Sequence, residues 1–235
     1  MNIPISNRLL LCADMIPRGA RVADIGTDHG YLPIWLIQNG RARHVIAADL
    51  RQGPLENAIR NAKSFGLAEQ IEFRLSDGLQ GLRPEEADAI VCAGMGGDLI
   101  FRILDACSWA KHPRYTFVLQ PQRTPQDLRR RLCESGFGIE REALAQDAGF
   151  IYPVLQVRYS GRARTLTPGE QYLSPALQKS GDPLLPVYLR RVRAALRETV
   201  DGLARADVPR PERLAAFSAA LKEIEEMTPL ENDCT

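Results

Sequence analysis

Between residues 21 and 120 short strand cores (VADI, VIAA, AIVCA and FVL) recur in alternation with stretches of helical spacing. This alternation constrains the fold more than any other feature. Strands that read apolar on both faces are buried on both, and a parallel sheet between two helix layers provides that burial. The crossovers should be right-handed. The pattern predicts strands at 21–26, 44–49, 71–77, 88–94 and 116–120, and helices at 6–15, 31–39, 54–65, 98–106 and 124–135. Ser6 is a candidate N-cap, with Leu9, Leu10 and Ala13 on the inner face of the first helix. Pro54 suits a first helical turn, while Gly66 and Gly136 suit helix ends.

The stretch after residue 137 narrows the class. GIEREALAQD (138–147), Ala148-Gly149 and FIYPVLQVRYS (150–160) read as a β-hairpin with a short glycine turn. A doubly wound sheet closed by an antiparallel hairpin resembles the class I (Rossmann-like) methyltransferase fold rather than a nicotinamide dehydrogenase. Pro153 implies an edge or bulged position in the last strand.

Residues 161–186 hold four prolines and three glycines without a sustained period, and read as a linker or an irregular connection. Beyond them Leu185, Leu189, Val192, Leu196, Thr199, Leu203 and Ala206 follow a heptad spacing. DVPRP breaks it, and Leu214, Phe217, Leu221 and Ile224 resume it. An antiparallel helical coiled-coil hairpin follows, so the expected domains are 1–160 and 161–235. The hairpin reads equally as a free recognition arm or as a pair packed on the main domain or on a second copy.

Composition excludes several classes. With 235 residues, 45% hydrophobic and 25% charged, the chain is globular rather than disordered. No apolar stretch is long enough to span a bilayer, and no membrane partner is expected. The N-terminus has neither a basic leader nor a cleavage site and reads as a mature start. Five scattered cysteines (Cys12, Cys92, Cys107, Cys133, Cys234), without a C-x-x-C pair and with three histidines, disfavour a zinc site or a disulfide framework. Small buried thiols in a reducing cytoplasm are expected, with no metal, and a monomer. The net charge of +1 lacks the basic excess usual in nucleic-acid binders. Residues 161–235 carry 11 Lys/Arg and 11 Asp/Glu, however, so a local basic stripe at Arg190, Arg191, Arg193 and Arg197 fits within a neutral total.

The chemistry lies at the strand ends. Asp24-Ile-Gly26-Thr-Asp28-His29-Gly30-Tyr31 is a glycine turn leading into a helix. Asp28 occupies the place where a dinucleotide loop needs a small residue, and a carboxylate there repels pyrophosphate. S-adenosyl-L-methionine, with its ammonium and sulfonium, suits these acids better. Asp49, 25 residues after Asp24, can accept ribose hydroxyls, and Asp77-Gly78 can accept an adenine amino group. Ala93-Gly94-Met95-Gly96-Gly97-Asp98 ends strand four without bulky side chains, so backbone and substrate can approach closely. This loop lacks the D/N-P-P-Y/F pattern of exocyclic amino methyltransferases. Leu119-Gln120-Pro121-Gln122 adds amides on the same rim.

DIGTDHGYLP, SDGL, AGMGGDLI and LQPQ, in this order and spacing, resemble the bacterial TrmK family, tRNA (adenine(22)-N1)-methyltransferases that use S-adenosyl-L-methionine. The likeness covers essentially the whole chain, including the helical hairpin. It includes an Arg8-Leu9 pair in the first helix, and departs where Gln122 replaces the family's usual asparagine. The resemblance implies that Asp24, Gly26, Asp49 and Asp77 hold the cofactor and that Asp28 faces the target base. Tyr31, Leu50, Gly78, Gly94, Met95 and Gly96 complete the expected cofactor set. Arg8, His29, Gln120, Pro121, Arg190, Arg193 and Arg197 are the expected RNA contacts. The competing reading is a methyltransferase of small molecules or proteins in which the hairpin makes a dimer.

Overall fold

The computed structural model describes residues 3–227. In chain order the main elements are α1 (Asn7–Met15), β1 (Ala20–Ile25), α2 (Tyr31–Gln38), β2 (Ala42–Asp49), α3 (Gln52–Ser64), β3 (Ile71–Leu75), β4 (Ala89–Gly96), α4 (Gly97–Asp105), β5 (Thr116–Arg123), α5 (Pro125–Glu134), β6 (Phe137–Asp147), β7 (Phe150–Tyr159), α6 (Pro168–Tyr172), α7 (Pro175–Gln178), α8 (Leu185–Ala204) and α9 (Pro211–Met227). They form one seven-stranded sheet in the order β3-β2-β1-β4-β5-β7-β6. Strands β1 to β5 pair in parallel, and β7 inserts antiparallel between β5 and β6.

The two-residue period of the strands divides the core. Ile25, Ile46, Ile90, Phe117 and Leu119 pack under Ile100 and Leu104 of α4 and Leu128 and Leu132 of α5. Val22, Val45, Val91 and Val118 pack under Cys12 and Ala13 of α1 and Leu32 and Leu36 of α2. β1 has β2 on one side and β4 on the other, so the connections leave it in opposite directions. A crevice therefore opens at the carboxyl ends of β1 and β4.

Several expectations need correction. Ser6 occupies the N-cap of α1, but its side chain makes no capping bond; Leu9 and Leu10 are half-buried, and Cys12, Ala13 and Met15 form the inner face. β6, not β7, is the edge strand, but Pro153 does hold a locally edge position, on a stretch of β7 that β5 does not pair with. Pairing of β7 with β5 involves only Leu155 to Val157, so the missing Pro153 N–H faces no ladder partner. The irregularity lies instead in β6, between Ile139 and Arg141.

Residues 161–183 are not a plain linker. Thr167 accepts from the Glu170 N–H, and the Glu170 carboxylate accepts from the Thr167 N–H. This capping box starts α6. Ser174 accepts from the Leu177 N–H and starts α7. In both helices a proline fills the first turn, where its missing N–H costs nothing. Leu173 and Leu177 are fully buried with Leu144, Tyr188, Leu189 and Leu196.

Beneath this cluster Arg129 of α5 and Glu142 of β6 form a fully buried ion pair at 2.5 Å. Arg129 also donates to the Gln171 carbonyl oxygen, and the Ser174 hydroxyl donates to Glu142. Helices α8 and α9 pack on each other through Leu189, Val192, Leu196, Phe217, Leu221 and Ile224. Toward the far end Leu203 is half-buried and Ala206 exposed. The base of the helical pair therefore rests on the sheet domain.

Candidate active site

The strand-end residues converge on two adjoining cavities. The larger, ≈ 350 Å³, is lined by Asp49, Leu50, Asp77, Gly78, Met95 and Ile103 among others. The smaller, ≈ 220 Å³, is lined by Arg8, Asp24, Thr27, His29, Tyr31 and Gln122 among others. Gly26, Asp28, Ala93 and Gly94 line both, so the two adjoin at the tips of β1 and β4.

Backbone geometry makes this junction. Gly26 (φ +74°) and Gly30 (φ +70°) adopt left-handed conformations. A Cβ on Gly26 would lie 2.3 Å from the Met95 methyl, and one on Gly30 would lie 2.9 Å from the Ala58 Cβ. The Gly26 and Thr27 N–H groups donate to the Ala48 carbonyl oxygen, which ties the turn to β2. Between the glycines Asp28 is itself left-handed, at φ +48°. That conformation is uncommon for a residue with a side chain and is concentrated at functional sites.

The acids differ in setting. Asp24 and Asp49 are buried. Burial pushes the Asp24 carboxyl up to about 6, Asp49 nearby adds to the rise, and Thr27 opposes it. Asp49 accepts from the Arg51 N–H at 2.9 Å. Asp77 is exposed on the cavity rim. The Asp28 carboxylate lies 3.4 Å from His29 Nε2, with both groups more than half exposed. The His29 ring stacks on Tyr31 with centroids 5.6 Å apart.

These residues fit S-adenosyl-L-methionine. A carboxylate held near neutrality by burial gains from a cationic neighbour. The paired acids of β1 and β2 suit an ammonium and a ribose, and the glycine turns leave room for them.

Gln120 and Pro121, expected as RNA contacts, are buried. The Gln120 side-chain oxygen accepts from the Gly94 N–H at 3.0 Å and from Arg8 Nη1 at 3.1 Å, so it organises the rim from beneath. The exposed amide is Gln122. A Cβ on Gly94 would lie 3.5 Å from Arg8 Nη1 and 3.8 Å from Gln122 Nε2, so both side chains face that loop. Only the strand-five motif signalled Gln122.

The expected basic stripe on α8 is dispersed. Arg193 is buried. Arg197 pairs with Glu225 of α9 at 2.6 Å, and Arg191 donates to the Gly149 carbonyl oxygen at 3.1 Å. Arg190 is exposed. The cause is rotation about the helix axis, because Arg193 falls four residues after Leu189 and three before Leu196.

Cys12, Cys92 and Cys133 are buried, and burial pushes their thiols up, Cys133 to about 11. Cys107 is half-buried, and Cys234 lies outside the described residues. Among the described residues no group of three or more His, Cys, Asp or Glu is arranged to hold a metal ion.

Comparison with known proteins agrees with this geometry. A methyltransferase-domain family model matches residues 5–155. The tRNA (adenine(22)-N1)-methyltransferase of Bacillus subtilis is 37% identical over 153 residues, covering 65% of this chain and 64% of that enzyme, so the match spans just under two thirds of the relative. The crystal structure of the B. subtilis enzyme TrmK superposes with a TM-score of 0.83 at 28% identity, covering 96% of this chain and 99% of that one. A Streptococcus pneumoniae structure in complex with S-adenosyl-L-methionine superposes at 0.80 with 31% identity, covering 95% and 99%. With the fold, the crevice and these matches in agreement, the chain belongs to the methyltransferase-domain family and, within it, to the TrmK family.

Proposed function

We propose that this protein is an S-adenosyl-L-methionine-dependent methyltransferase acting on N1 of an adenine in tRNA, at position 22 as in its B. subtilis relative. The observation that carries the reading is the junction of the two cavities at Gly26, Asp28, Ala93 and Gly94. The larger suits the cofactor and the smaller a nucleobase. In this reading Gly26, Asp49, Leu50, Asp77, Gly78 and Met95 hold the cofactor in the larger cavity, Asp24 receives its ammonium at the junction from the side of the smaller one, and Gly96 ends β4 beside it; when bound, the cofactor supplies an electrophilic methyl group.

Adenine N1 carries an in-plane lone pair, so no base is needed to create the nucleophile. The protein's work is to orient the ring, exclude water and accommodate the positive charge the ring acquires. Asp28 accepts a hydrogen bond from the exocyclic N6 amino group and stabilises that charge. Tyr31 and His29, already stacked, offer a ring face. Arg8 and Gln122 line the same cavity. N1 is hidden in a base pair, so the nucleotide must be unpaired or flipped. Residues 1–160 form the methyltransferase unit, and 161–235 an appended helical unit that adds RNA contacts through Arg190. No helix among the described residues is long and apolar enough to cross a membrane.

The test is mass spectrometry of nucleosides, mapped to position, after tRNA is incubated with enzyme and cofactor. N1-methyladenine at position 22 is expected. Methylation of free nucleosides or proteins but not tRNA would replace this reading.

A further inference from the structure

The β6–β7 turn carries an exposed aromatic corner that the catalytic reading does not use. Phe150 is 62% exposed, and its ring lies 6.1 Å from that of Tyr152. Register fixes their direction. Phe150 is the cross-strand partner of Asp147, and Tyr152 of Ala145. Cross-strand partners share a face, and residues two apart share it too. Asp147 uses that face to hold Arg8 at 3.4 Å, and Arg8 lines the smaller cavity. Phe150 and Tyr152 therefore stand on the face of the sheet that carries α1, one side chain beyond the rim of the nucleobase cavity.

The turn is held from both sides. Asn7 of α1 donates to the Gln146 carbonyl oxygen at 3.0 Å, and Arg191 of α8 donates to that of Gly149 at 3.1 Å. Ala148 and Gly149 complete it in left-handed conformations. An aromatic placed on a tight turn and braced by two helices is presented to a partner in a fixed orientation.

We propose that Phe150, with Tyr152 beside it, is a stacking platform for an unpaired base of the RNA substrate next to the nucleotide in the smaller cavity. The inference rests on the tRNA reading above. Continuity with the cavity rim through Asp147 and Arg8, and an aromatic face beside a guanidinium, match how proteins hold single-stranded bases. Phe150 is a positioning residue, because it holds a neighbouring nucleotide and leaves the reacting atoms to the cavity.

The test compares wild type with Phe150→Ala, Phe150→Leu and Phe150→Trp in steady-state methylation of tRNA, with cofactor affinity by calorimetry and melting curves as controls for folding. Loss of a stacking contact should raise KM for tRNA about tenfold in Phe150→Ala. Phe150→Leu, apolar but unable to stack, should show the same loss, whereas Phe150→Trp should keep near wild-type KM and show fluorescence quenching on tRNA addition beyond that of the wild type. Cofactor affinity and melting should stay unchanged. Wild-type KM in Phe150→Leu, or no added quenching in Phe150→Trp, would overturn the proposal. So would a wild-type dimer that Phe150→Ala dissolves in sedimentation. Failure of the wild type to methylate tRNA at all would instead overturn the functional reading, and this proposal with it.

Discussion

Arg8 and Gln120 meet at 3.1 Å across 112 residues of sequence, and the same Gln120 oxygen accepts the Gly94 N–H. One buried amide thereby fixes both an N-terminal side chain and the β4 loop at the catalytic cavity. Gln120→Ala should leave the Gly94 N–H without this partner and release Arg8. The cost should be about 1–3 kcal/mol of stability. The kcat for methylation should fall more than tenfold, since rim geometry is lost. Denaturant melts and steady-state kinetics read the two effects separately.

Asp28→Ala should lower kcat by at least two orders of magnitude while cofactor affinity, read by calorimetry, stays within a few-fold. Near-normal turnover would remove Asp28 from its assigned role.

Asp24 predicts an uncommon pH dependence. Its carboxyl titrates near 6 in the folded chain, above the ordinary 3.8. The folded state therefore binds the proton more tightly than the unfolded state, and stability is lost as pH rises from about 4 to about 6. The loss amounts to about 3 kcal/mol and then levels off. Asp24→Asn should flatten this slope and raise the melting temperature of the ligand-free protein at pH 7. It should also weaken cofactor binding, whose strength in the wild type should grow as the pH passes about 6 and the acid ionises.

Glycine substitutions should separate strain from crowding. Gly26→Ala meets the flexible end of Met95, which can move, whereas Gly30→Ala meets the Cβ and backbone of Ala58. Both positions are left-handed, so each costs about 1 kcal/mol or more from backbone strain alone. Gly30→Ala should melt lower than Gly26→Ala.

The buried pair offers a fifth check. Glu142→Leu leaves the Arg129 charge uncompensated and should destabilise by about 3–5 kcal/mol. Adding Arg129→Met should recover much of that loss in a double-mutant cycle.

The alternating strands and helices were legible because the strand cores are apolar and their ends are marked by Asp24, Asp49 and Asp77. The hairpin was legible from Ala148-Gly149 between two alternating runs. What escaped depended on tertiary placement. Gln120 and Gln122 are two residues apart in one strand motif, yet one is buried and the other faces the cavity. Arg190, Arg193 and Arg197 looked alike until α9 and the sheet covered part of α8. The order in residues 161–183 was present in the pairs Thr167-Pro168 and Ser174-Pro175, but proline content alone suggested irregularity.

The span from Arg8 to Gln120 and Asp147 also bears on how the chain is made. Helix α1 leaves the ribosome before the other described elements, but the partners of its Arg8 are synthesised more than a hundred residues later. The smaller cavity cannot take its final form on a nascent chain until the β6–β7 hairpin has emerged and paired. Such sequence-distant contacts form slowly, since loop closure must precede them. Unfinished chains thus lack the geometry of this cavity, and the site is assembled only with the completed sheet.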